Sequence, residues 1–134
     1  MFASRVVEDR YVGPLNQAIT YENCDLQVAL DAVRRMNGRD RSMVILEGPN
    51  DCSLMIGGGN EGRYVVTLNV NIDEEFYNAV DDSKAQDAEL VVVAGGQAAE
   101  FPARNCLELS GALEAARVYF ESGKMSDRIR WEKQ

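Results

Sequence analysis

The chain contains no histidine. That absence removes the commonest general base near neutral pH, the commonest metal ligand, and every Ser-His or Cys-His nucleophile pair. Cysteine is scarce and odd in number: Cys24, Cys52 and Cys106, with no Cys-x-x-Cys spacing. A disulfide frame is therefore unsupported, and the three are expected to be reduced thiols acting as small buried hydrophobes. Proline occurs three times and no Pro- or Ser-rich linker divides the chain, so residues 1–134 are expected to form one domain. No run approaches the ~18 uninterrupted apolar residues that span a membrane. The opening Met1 to Asp9 lacks the apolar stretch of a signal peptide, and a cytoplasmic protein is expected. Positive charge is short as well: 14 lysines and arginines against 22 acids leave −8. Nucleic-acid binders need the opposite sign to displace counterions from phosphate, so direct contact with nucleic acid or an anionic membrane is not expected. An acidic surface suits a basic protein partner, whose approach it steers.

What is present is patterned. Leu26, Ala29, Leu30, Val33 and Met36 recur at helical spacing, predicting a helix from Asp25 to Asn37 with Asn23 as its cap and Gly38 as its end. Strands are expected over residues 2–12 and 18–21. Two more, at 42–47 and 52–57, should form a hairpin across Gly48-Pro49-Asn50-Asp51. After the glycine-rich turn 57–62, the clearest amphipathic strand runs from Tyr64 to Ile72. Tyr64, Val66, Leu68, Val70 and Ile72 fall on one face and Thr67, Asn69 and Asn71 on the other. A strand at 89–94 is expected to be answered by 97–101 across Gly95-Gly96. The short connections favour an antiparallel meander. The expected class is α+β: an antiparallel sheet of about five to seven strands with two helices packed on one face.

The negative charge is concentrated. Residues 73–89 hold seven carboxylates against Lys84 alone, a net of −6 out of the total of −8. Phe76, Tyr77 and Val80 are interleaved with them, and aromatics beside charge are favoured interface anchors. Asp73, Glu74, Glu75, Phe76, Tyr77, Asp81 and Asp82 are thus the candidate partner-binding residues. The same acids lack the alternating Asp/Asn spacing and central glycine of a calcium loop, so no metal is expected. No catalytic residue and no cofactor is expected either. Nothing places two carboxylates in a cleft suited to glycoside cleavage. Gly57-Gly58-Gly59-Asn60-Glu61-Gly62 lacks the Gly-Lys-Ser/Thr ending of a phosphate loop and precedes a strand.

The end of the chain is the most informative stretch. Glu100-Phe101-Pro102 leads towards a helix from Ser110 to Ser122. Ser110 is suited to its N-cap, Leu113, Ala116 and Phe120 form a stripe flanked by Ala112 and Tyr119, and Gly123 suits the C-cap. Ile129 and Trp131 then alternate with Arg128 and Arg130 as in a short strand or extended tail. Trp131, the only tryptophan, is expected to anchor that tail against the helix, with truncation to alanine costing ~3–5 kcal/mol.

"EFP" followed by "LSGALEAARVYFESGKMSDRIRW" resembles the C-terminal signature of the Imm1 family of bacterial immunity proteins. There a Glu-hydrophobic-Pro segment leads into an amphipathic helix that ends in glycine, with a tryptophan soon after. The resemblance implies a small α+β protein, not an enzyme. It would bind and neutralise a secreted toxin, often a nucleic-acid deaminase, in the cell that makes both. The partner it implies is a cognate toxin domain with a basic active-site groove, held by this chain as a monomer; a homodimer stays open. Contact-dependent and type VI delivery of the toxin are equally compatible. An acidic regulatory domain with a non-toxin partner and a carboxylate-dependent metal enzyme remain the alternatives.

Overall fold

The computed structural model describes residues 1–70, 75–85 and 87–134. In chain order its elements are β1 (Arg5–Glu8), β2 (Tyr11–Val12), β3 (Leu15–Asn16), β4 (Ile19–Glu22), α1 (Leu26–Arg35), β5 (Met43–Glu47), β6 (Ser53–Gly58) and β7 (Tyr64–Asn69). They continue with β8 (Phe76–Val80), β9 (Glu89–Ala94), β10 (Gln97–Pro102), β11 (Cys106–Leu107), α2 (Leu109–Ser122) and β12 (Arg130–Lys133). The class is α+β. The main sheet runs β12-β8-β7-β6-β5-β1-β4, with β11 added beside β7, and every pairing is antiparallel. Its centre is a meander from β5 to β8, of which the sequence predicts β5 to β7 but not β8, which falls within the stretch that reads as an acidic connection. Its flanks are closed out of sequence order, by β1 and β4 on one side and β12 on the other.

Side chains alternate across a strand, so the sheet has two distinct faces. Val6, Val44, Leu46, Leu54, Ile56, Tyr64, Val66 and Leu68 are buried in one cluster. Ala29, Ala32 and Val33 of α1 and Ala112, Ala115, Ala116, Tyr119 and Phe120 of α2 belong to the same cluster. The alanines let both helices approach closely, and the large residues of the sheet fill the space between. Cys106 is buried, while Cys24 and Cys52 are half-buried and free.

Several boundaries differ from the sequence reading, each for a local reason. The strand expected over 2–12 breaks after Glu8, where the Asp9 carboxylate accepts hydrogen bonds from the Ser42 N–H (2.7 Å), the Ser42 hydroxyl (2.6 Å) and the Met43 N–H (2.9 Å). Asp25, not Asn23, caps α1, accepting from the Val28 N–H at 3.2 Å. α1 ends at Arg35 with an extended Met36 as its C-cap, so Gly38 lies beyond the helix. α2 starts at Leu109, one residue before Ser110, with Glu108 at the cap position and no side-chain cap bond. Gly123 does end α2 in a left-handed conformation, φ 73°. A Cβ there would also run into the Phe2 ring. Phe2 packs edge-on against Tyr119 with ring centroids 5.5 Å apart. The N–H groups of Phe2 and Ala3 donate to the carbonyls of Glu121 and Phe120, at 3.2 and 3.0 Å. The start of the chain thus satisfies carbonyls that the last turn of a helix leaves unpaired.

Trp131 lies in β12 opposite Ala79 of β8 and is half-buried against the core cluster. Its Nε1–H donates to the Ser126 carbonyl at 3.1 Å. Among the described residues no helix is long and apolar enough to cross a membrane.

Candidate partner-binding surface

The acidic stretch is not one loop. Phe76–Val80 forms β8, a strand flanked by β7 and β12, and a five-residue strand holds its two ends about 17 Å apart. Asp73 and Glu74 lie outside the described residues. Glu75 precedes β8, and Lys133 reaches it at 3.1 Å. Phe76 sits opposite Asn69 and Tyr77 opposite Leu68, so the two rings project to opposite faces of the sheet. Both are half-buried, and no single patch presents both.

At the far end Asp81 closes a turn, accepting from the Ser83 hydroxyl at 2.6 Å and the Ser83 N–H at 3.0 Å. Those bonds hold its carboxyl below the usual aspartate range. Asp82 is held by Arg130 through Nη1, at 2.7 and 2.8 Å to its two oxygens, with Arg104 at 3.8 Å. Arg104 in turn grips Glu132 bidentately, 2.8 Å for each bond, which keeps the Glu132 carboxyl low. The negative charge at this end is largely answered within the chain. A cleft of about 410 Å³ adjoins it, lined by Asp81, Asp82, Ser110, Gly111, Arg128 and Arg130. Among the described residues no three histidine, cysteine, aspartate or glutamate side chains gather so as to hold a metal ion.

Two surfaces that the sequence reading did not single out are more open. The first is the sheet face opposite the one that carries Leu46, Leu54, Ile56 and Leu68. Thr20, Val7, Ile45, Met55, Thr67, Asn78 and Glu132 are paired in register strand after strand and cross the whole sheet in one row. Met55 is 36% exposed, and a hydrogen bond from Thr67 to Asn78 (3.0 Å) polarises the far side. The alternation that marks the buried face also marks this one, and the β9–β10 hairpin covers part of it, at Gly57 and near Thr67 and Asn78.

The second is the β9–β10 hairpin. It forms a separate two-stranded sheet and docks mainly through β9. Val92 is fully buried, and Ala94 lies over Gly57, where a Cβ would stand 2.6 Å from the Ala94 methyl. The outer edge of β9 is closed by side chains. Asn60 Nδ2 donates to the Val91 carbonyl at 3.0 Å, Arg63 Nη1 to the same oxygen at 3.2 Å, and the Val93 N–H donates to Asn60 Oδ1 at 2.9 Å. β10 overhangs: Gln97 to Glu100 are all exposed, and only Phe101 tucks back toward Thr67 and Asn78. The Glu89 carboxyl is raised because it is hydrogen-bonded to, and repelled by, Glu100 across the hairpin.

A family model described as immunity protein Imm1 matches residues 22–133. No curated protein and no solved structure matches the chain.

Proposed function

The chain belongs to the Imm1 family of immunity proteins, and from that premise we propose that it binds a cognate toxin as a monomer and blocks its active site. The family match over residues 22–133 is the observation that carries this reading, and it carries toxin-neutralising immunity as such. The net charge of −8 supports a more specific form, in which the toxin acts on nucleic acid, a deaminase among the candidates, through a basic groove. Neutralisation then takes place in the cytoplasm of the producing cell, without chemistry by this chain. Asp73, Glu74 and Glu75, with Phe76 beside them, steer and seat the toxin. Tyr77 lies on the face of Leu68 and supports β8, and Asp81 and Asp82 contribute field more than contact, because their oxygens are already engaged.

The test is co-expression of this chain with the product of the adjacent upstream gene in a sensitive host. Growth arrest by that product alone, relieved by this chain, is the expected result. Reversing Asp73, Glu74 and Glu75 to lysine should then weaken rescue while thermal unfolding stays unchanged. A harmless neighbour, or a toxic one against which this chain neither binds nor protects, defeats the immunity reading.

A further inference from the structure

The β9–β10 hairpin leaves one strand edge with no partner. In an antiparallel pair, residues alternate between those that exchange hydrogen bonds with the neighbour and those that direct both backbone groups away from it. Val91 and Val93 belong to the second kind, since Asn60 and Arg63 reach their outward groups. Their partners in register are Glu100 and Ala98. Those two residues therefore direct their N–H and C=O groups outward, along the free edge of β10. Among the described residues β10 pairs with β9 alone. A strand edge left unpaired can accept another strand, and Glu100 and Pro102 of β10 restrict which one. Here β9 has been closed by side chains and β10 has not.

The charge around that edge selects what can join it. Glu89 and Glu100 are neighbouring carboxylates on the outer face of the hairpin, and neither has a cation within ion-pair distance among the described residues. Val91, 45% exposed, lies beside them, opposite Glu100. A second copy of this chain pairing edge to edge would bring two more carboxylates to the pair and is repelled. A strand that places a lysine or arginine opposite Glu100 relieves the repulsion already present. Resting on the immunity reading above, we propose that the outer edge of β10 is the toxin's docking edge. It accepts an extended segment bearing a lysine or arginine, through main-chain hydrogen bonds to Ala98 and Glu100. Recognition by strand addition draws affinity from the backbone and specificity from alternate side chains. Here the side-chain selector is the Glu89–Glu100 pair.

The probe is the toxin domain identified by the co-expression test, inactivated by mutation and titrated against the full chain. Amide exchange gives the most direct readout. The Ala98 and Glu100 amides should exchange freely in the unbound protein and slow by about tenfold or more in the complex. Ala98→Pro deletes one outward donor at an edge position where proline is tolerated, and should weaken binding about tenfold. Glu100→Lys should weaken it at least as much and flatten its salt dependence. Unchanged affinity in both variants, or no protection at Ala98 and Glu100 in a complex that forms, overturns the docking edge while leaving the immunity role standing. A free protein that sediments as a dimer with those amides already protected overturns it too. Absence of binding and rescue by the unaltered chain removes the immunity reading, and this inference with it.

Discussion

Glu8 is a carboxylate with 1% of its surface exposed, on the same face of β1 as Val6. It is held from three sides. Arg35 donates to both oxygens at 3.2 and 2.8 Å, Arg41 at 3.1 Å and the Tyr21 hydroxyl at 2.6 Å. The last bond also raises the Tyr21 phenol above its ordinary range. Glu8→Ala should destabilise the fold by about 3 kcal/mol in urea unfolding, since it strands a partly buried arginine as well as removing the acid. Glu8→Gln, which keeps an acceptor, should cost less. Tyr119 is the opposite case. Its ring is 1% exposed and its hydroxyl is buried without a hydrogen-bond partner among the described residues. Burial pushes its ionisation up accordingly. Tyr119→Phe should leave stability unchanged or raise it by up to about 1 kcal/mol, read as a higher Tm. In the sequence Tyr119 read as part of an apolar stripe, and so it is. The cost of its hydroxyl was invisible there, because it depends on which atoms surround one oxygen.

Elements were legible where a residue pattern is local. The β5–β6 hairpin, the buried face of β7, both helices and the β9–β10 pairing all followed from periodicity and turn residues. β8 did not. Phe76-Tyr77-Asn78-Ala79-Val80 shows no clean alternation and is flanked by charge, so it read as part of an acidic connection. It is a strand because β7 and β12 hydrogen-bond it from either side, and pairing with a segment fifty residues downstream is not a local signal. Whether a strand edge is free is likewise a property of topology, which is why β10 read only as a partner for β9. That hairpin is held to the main sheet by the close approach of Ala94 to Gly57. Gly57→Val should lever it away. The expected outcome is faster amide exchange throughout β9 and β10, with β5 to β8 still protected, and a loss of about 2 kcal/mol.

For the whole molecule, the sequence placed the charge correctly by residue but not in space. The net of −6 in residues 73–89 is real, yet β8 separates its ends and Arg130, Arg104 and Lys133 answer much of it. These pairings make stability depend on pH. Glu114 is lowered chiefly by the Ser126 hydroxyl and Arg117, Glu132 by Arg104, and Asp81 by Ser83, from ordinary values of 4.5, 4.5 and 3.8. A carboxyl whose folded pKa lies below its unfolded value contributes stability above the unfolded value and loses it as pH falls through the folded one. Glu89, raised by Glu100, works in the other direction and loses its contribution as pH rises through its folded pKa. With Asp40, lowered by the hydrogen bond from Asn37, four lowered carboxyls against one exposed raised group should give a denaturant midpoint that is flat from pH 7 to about 5 and falls below about 4.5. A last consequence concerns synthesis. Phe2 and Ala3 are completed by the final turn of α2, and β1 pairs with β5 across the intervening helix. The N–H groups of Phe2 and Ala3 have no native acceptor until α2 has followed them, whereas β1 can pair with β4 and β5 earlier. During translation the β5–β8 meander, whose contacts are close in sequence, can form first. Docking of Phe2 and Ala3 onto α2 is therefore a late step relative to the meander. Slowing elongation before α2 should lengthen the interval in which the Phe2 and Ala3 amides exchange freely.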